Sequence, residues 1–143
     1  AAKVAYEKAL DLLPTFMEAA LALADLIRRS ESPAGAVDIL VEMLMTEPWD
    51  LDALLLLGRC LLDDGRPERS IEALQRLLKF DPDNESALFH LGVALARMRQ
   101  YADAVHAWER VIQIDPGRAY AQAARSHARS ARDLKHIFAA GAA

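Results

Sequence analysis

Cys60 and the histidines His90, His106, His127 and His136 are the side chains of this 143-residue chain best suited to nucleophilic, acid–base or metal chemistry near neutral pH. A nucleophile needs a base within reach and a third group to orient that base. Cys60, His90 and His106 fall in different periodic segments, and no His-x3-His pair exists to grip zinc along one helix face. His90 and His106 read as edge or surface histidines. Cys60 falls on an apolar face, where a buried, unreactive thiol is expected. Asp81-Pro82-Asp83-Asn84-Glu85 is acidic enough to suggest calcium, but it lacks the spaced ligands and the glycine of an EF-hand loop. No glycine-rich phosphate loop is present. The expectation is a protein without catalytic, cofactor-binding or metal-ligating residues.

The elements that would position these side chains follow one pattern. Leu88, Leu91, Gly92 and Leu95 form a helical stripe, and Ala104, Trp108, Val111 and Ile112 form a second. Arg99-Gln100-Tyr101 breaks the chain between them, and Asp115-Pro116 ends the second helix. A shift of 34 residues carries Leu88 onto Leu54, and the stripes Leu54-Leu57-Gly58-Leu61 and Ser70-Leu74-Leu77-Leu78 fall in place before Asp81-Pro82. A second shift reaches Ala20-Leu23-Ala24-Ile27, Ala36-Leu40-Met43-Leu44 and Glu47-Pro48. Three units, 17–50, 51–84 and 85–118, share one register, which predicts a solenoid of stacked helix hairpins.

The helices are expected near 17–30 and 33–46, 51–63 and 67–80, then 85–98 and 101–114. Pro33 and Pro67 can open second helices, where a missing N–H costs nothing. Gly65 is free to take a left-handed cap, and Asn84 suits an N-cap before Glu85. Residues 2–13, with Tyr6, Ala9 and Leu10 on one side and Pro14 at the stop, repeat the second-helix pattern of a partial unit spanning 1–16. The apolar side of that helix would lack a neighbour. From Ala119 to about Phe138 a last helix continues the first-helix register through Tyr120, Ala124, Ala128, Ala131, Leu134 and Phe138, with Ala139–Ala143 fraying.

Charge and composition limit the partners. Charged residues make up 27% and apolar ones 53%, a soluble globular balance, and the formal net charge is −4. The whole molecule is therefore no electrostatic match for nucleic acid. The charge is uneven: residues 1–118 hold 13 Lys and Arg against 20 Asp and Glu, while Arg125, Arg129, Arg132 and Lys135 oppose only Asp133 after them. Four cations on one helix read as a solvated face. The single cysteine excludes an internal disulfide framework, and no stretch is apolar enough to span a bilayer. No residue fixes a compartment; a soluble, cytoplasmic setting is favoured. The chain opens inside a helix, so a longer parent protein is expected.

At these positions the chain resembles the tetratricopeptide repeat (TPR) family. Counting each unit from 1 to 34, position 7 is Leu23, Leu57 and Leu91, and position 8 is Ala24, Gly58 and Gly92. Position 20 is Ala36, Ser70 and Ala104, and position 32 is Pro48, Pro82 and Pro116. Small residues at 8 and 20 suit helices that cross closely, and proline at 32 stops a helix sharply. Position 27 departs from the family's alanine with Met43, Leu77 and Val111, which implies wider spacing there.

The resemblance implies an all-α, right-handed superhelix: a single TPR domain over 1–143, with a capping helix at 119–138. It implies a non-catalytic scaffold or adaptor that binds a peptide or protein segment in the concave groove. First-helix positions of that groove would be Leu21, Asp25 and Arg28; Leu55, Arg59 and Leu62; Phe89, Val93 and Arg97; then Tyr120 and His127. Leu21, Leu55 and Phe89 lie off the hairpin-packing stripe. They are either an apolar floor for a partner's side chains or plugs between adjacent first helices. The cationic clamp of TPR domains that hold acidic chaperone tails is missing, since its places hold Leu21, Asp25, Leu56, Ser86 and His90. The alternative function is self-association through the open face of helix 2–13. Binding to nucleic acid through the basic last helix ranks below both, and no membrane insertion is expected.

Overall fold

The structure, a computed structural model, describes residues 17–30 and 33–142, with side chains described over 21–29 and 33–136. The expected helix at 2–13 lies outside the described residues. Among those described there are seven helices and no strand: α1 (Met17–Ser30), α2 (Pro33–Thr46), α3 (Leu51–Asp63), α4 (Pro67–Phe80), α5 (Glu85–Arg97), α6 (Tyr101–Ile114) and α7 (Ala119–Ala142). They form two compact units, residues 1–73 and 74–143, which divide within α4.

In the first unit α1 packs on α2, α2 on α3, and α1 also reaches α3. The core is the expected stripe: Leu23, Ala24 and Ile27 meet Ala36, Leu40, Met43 and Leu44, with Leu54, Leu57 and Leu61 beyond. Asp50 caps α3 by accepting from the Ala53 N–H at 2.9 Å. Ser70 is fully buried, and its hydroxyl donates to the Gly58 carbonyl at 2.7 Å. Positions 8 and 20 of the second repeat therefore touch through a hydrogen bond, which relieves the cost of burying the hydroxyl.

In the second unit α5 packs on α6, α6 on α7, and α5 also meets α7. Asn84 caps α5 as expected, accepting from the Ala87 N–H at 2.9 Å. Trp108 is buried against Gly92, so closely that a Cβ there would lie 2.3 Å from Nε1 of the indole. The Nε1–H donates to the Phe89 carbonyl at 3.1 Å.

The two hairpin turns among the described residues are closed alike. Gly65 N–H donates to Leu62 and Arg66 N–H to Leu61; Arg99 N–H donates to Ala96 and Gln100 N–H to Leu95. Each helix thus ends on a left-handed residue, with one bond nested inside the other. The left-handed residue is Gly65 (φ 73°) in one and Arg99 (φ 60°) in the other.

Four details differ from the sequence reading. Helix α5 stops at Arg97, because the left-handed Arg99 closes it one residue early. Helix α7 continues to Ala142 rather than ending near Phe138: the Ala139–Ala140 pair favours the helix and no proline interrupts it. Its buried stripe is Ala121, Ala124, Ala128 and Ala131, whereas Leu134 is exposed and Tyr120 half-buried. Leu78 and Ile112, counted with the core stripes, are half-buried as well.

Candidate functional site

In the second unit the exposed first-helix side is built from α5 and α7. Phe89, Val93 and Arg97 follow at intervals of four and so lie along one face of α5. Phe89 and Val93 are half-buried and Arg97 is exposed. The Phe89 ring stands 5.5 Å from Tyr120 and 5.3 Å from His127, both on α7, and 5.4 Å edge-on from His90. His127 in turn meets the indole of Trp108 edge-on at 5.3 Å.

Polar contacts fix these rings. Tyr120 donates its hydroxyl to Ser86 Oγ at 3.1 Å. His90 Nδ1 sits 2.6 Å from the Ser86 carbonyl, which can only accept, so Nδ1 carries a proton. Beside this cluster, Ala96, Tyr101, Trp108, His127, Ser130, Ala131 and Leu134 line an open, mainly apolar cavity of about 280 Å³.

Of the residues expected on this side, the structure thus brings Phe89, Tyr120 and His127 together and sets Val93 and Arg97 in line with Phe89. Phe89 does fill space between α5 and α7, as the plug reading requires, yet it keeps part of its surface exposed. His90 and Ser86 belong to the same cluster. The signal for Ser86 in the sequence is the repeat period, since it stands 34 residues before Tyr120.

The first unit carries a different arrangement. Arg28 bonds Asp25 at 3.1 Å and Asp63 at 3.3 Å, and Arg29 pairs with Asp25 at 2.9 Å. Burial lowers the pKa of the Arg28 guanidinium, but its hydrogen bonds and charge attraction to the two aspartates outweigh that and leave it raised. Its charge is committed within the fold. Leu21, Leu55 and Arg59 are half-buried. Leu62, expected on the groove side, is only 4% exposed and has almost no surface to offer, because its neighbours cover it together with Leu61 of the packing stripe.

Cys60 is buried, and desolvation pushes its thiol up from 9.0 to about 11, with the neighbouring Arg28 charge opposing the rise. Among the described residues no three His, Cys, Asp or Glu side chains converge as a metal site. Two of the basic groups on α7 are engaged locally, Arg125 with the Pro116 carbonyl at 2.8 Å and Arg132 with Glu109 at 2.5 Å. No described helix is long and apolar enough to cross a membrane.

Comparison with known proteins gives a consistent picture. A family model described as tetratricopeptide repeat matches residues 28–91 and again 61–128. No curated protein sequence matches. Among solved structures, a MamA protein is 24% identical, with a TM-score of 0.81 over 94% of this chain and 74% of that one. YrrB, described as a TPR protein with an unusual peptide-binding site, is 24% identical, with a TM-score of 0.80 over 94% of this chain and 68% of its own. The Sgt2 TPR domain from Aspergillus fumigatus is 17% identical, with a TM-score of 0.77 over 88% and 83%. At these identities the likeness speaks for the fold alone.

Proposed function

The chain belongs to the tetratricopeptide repeat family, and on that premise we propose that it is a non-catalytic scaffold holding a peptide or protein segment against the first-helix side of its hairpins. On this reading residues 1–143 are one repeat domain, and its partner is a protein rather than a nucleic acid. The fold supplies the mode of binding, while the partner is chosen by the side chains on that face.

The observation that carries the reading is the line Phe89, Val93 and Arg97 beside Tyr120 and His127. These are apolar, aromatic and cationic groups that keep exposed surface beside the buried hairpin stripe. Such groups are the usual anchors of an interface, because burying them when a partner arrives releases water and fixes few rotamers. Leu21, Asp25 and Leu55 hold the corresponding first-helix positions of the first unit. Arg28 takes no direct part, being held between two aspartates.

The test begins with a peptide selected from a random display library on the intact chain. Val93→Thr combined with Arg97→Ala should weaken its binding by more than about 1 kcal/mol, measured by calorimetry. The urea midpoint should barely move, since both side chains contribute little to the core. Intact affinity with lowered stability would place these residues in the packing and remove the reading. Phe89→Ala is a poorer probe, because Phe89 also supports Tyr120 and His127.

A further inference from the structure

We propose that the solvent face of α2 is a second docking surface, shaped for a basic amphipathic helix of a partner protein. The exposed large apolar residues described in the first unit are Val41 (38%), Met45 (80%) and Trp49 (65%). Val41 and Met45 lie one turn apart on one face of α2. Trp49 follows in the turn that the Asp50 N–H closes onto the Glu47 carbonyl at 3.2 Å.

The repeats themselves supply the control. Val41, Met45 and Trp49 occupy positions 25, 29 and 33, where the second repeat has Gln75, Lys79 and Asp83 and the third has Glu109, Gln113 and Gly117. The fold is satisfied by polar residues or glycine at all three places. Large apolar groups at all three places are therefore particular to the first repeat, where Val41 and Met45 form an exposed apolar strip along α2 that Trp49 follows in the chain. Methionine adapts its shape to varied partners, which suits such a strip.

Charge selects the occupant. From Ser30 to Gly58 the chain contains Glu31, Asp38, Glu42, Glu47, Asp50 and Asp52 but no lysine or arginine. Asp38, Glu42 and Glu47 are exposed beside the strip. A strip one helix turn in period, rimmed by carboxylates, matches a helix with apolar residues along one face and lysine or arginine flanking them. The same rim opposes an anionic membrane surface.

The probe is a synthetic leucine–lysine amphipathic helix, with a leucine–glutamate helix of the same pattern as its counterpart, titrated against the intact chain by calorimetry. The leucine–lysine helix should bind, and V41S/M45S/W49S should weaken it at least about tenfold. Met45→Ser alone, at the most exposed of the three, repeats the test with the smallest disturbance and should act in the same direction. E42K/E47K should reverse the preference toward the leucine–glutamate helix. Equal binding of the leucine–lysine helix by parent and V41S/M45S/W49S would overturn the proposal, as would a parent that does not distinguish the two peptides. Sedimentation supplies the remaining arm: self-association of the parent that V41S/M45S/W49S abolishes would assign the surface to a second copy and overturn the stated occupant.

Discussion

The Tyr120 hydroxyl donates to Ser86 Oγ at 3.1 Å across 34 residues, one repeat length. Arg28 to Asp63 spans 35 residues and Arg118 to Glu85 spans 33, so within each unit the period in the sequence becomes a meeting of two first helices, α1 with α3 and α5 with α7. Tyr120→Phe should cost about 0.5–1.5 kcal/mol, the net value of one partly buried hydrogen bond. Urea unfolding of Tyr120→Phe, Ser86→Ala and the double variant checks it. Strict additivity of the two single changes would mean that the bond contributes nothing.

Gly65 and Arg99 hold the same place in successive repeats and the same left-handed conformation, at φ 73° and 60°. Only glycine takes it without a steric penalty, which for other residues is roughly 1–2 kcal/mol. Arg99→Gly should therefore raise stability by up to about 1 kcal/mol, and Gly65→Ala should lower it by about the same amount. Thermal melting of the two variants gives the opposite signs directly; a shift in the same direction for both would contradict the turn geometry.

A Cβ on Gly92 would stand 2.3 Å from Nε1 and 2.5 Å from Cε2 of Trp108. Gly92→Ala should cost about 1–3 kcal/mol through overpacking, and Gly92→Leu more. Trp108→Ala should cost about 3–5 kcal/mol through the cavity it leaves. The decisive measurement is Gly92→Ala made together with Trp108→Leu. The combined loss should fall short of the sum, because the smaller side chain removes the clash.

Cys60 should be silent toward thiol reagents at neutral pH in the native chain and reactive in urea, because burial pushes its thiol up to about 11. Since the folded value lies above the ordinary 9.0, the stability from keeping this thiol protonated is complete below pH 9. It is lost as the pH rises from there through about 11. An alkaline stability scan should show that decline in the parent, and Cys60→Ala should lack this component.

The helices were legible because their signals are local and repeated: Pro33 and Pro67 at second-helix starts, Gly65 at a cap, small residues at positions 8 and 20, and leucines at helical spacing. The site was legible only in part. First-helix register singled out Phe89, Tyr120 and His127, which do meet. It also included Leu62, because a register gives direction around a helix and says nothing of how deeply the neighbouring helix covers it. Nor did periodicity reveal that Arg28 is shared by Asp25 and Asp63. That depends on the reach of a long side chain across two helices, which no spacing rule encodes.

The contact between positions 8 and 20 also limits how the gene could have grown or be recombined. The second hairpin fills it with Gly58 and a hydrogen-bonded Ser70, while in the third Gly92 makes way for Trp108 four residues after Ala104. Joining the first helix of repeat one to the second helix of repeat three would bring the Ala24 methyl to the place where Gly92 leaves room for the indole. Crossovers at Pro48, Pro82 or Pro116 keep each matched pair intact, whereas crossovers at the hairpin turns separate them. A chimaera that joins α1 to α6 should therefore be less stable than one cut at Pro48, Pro82 or Pro116.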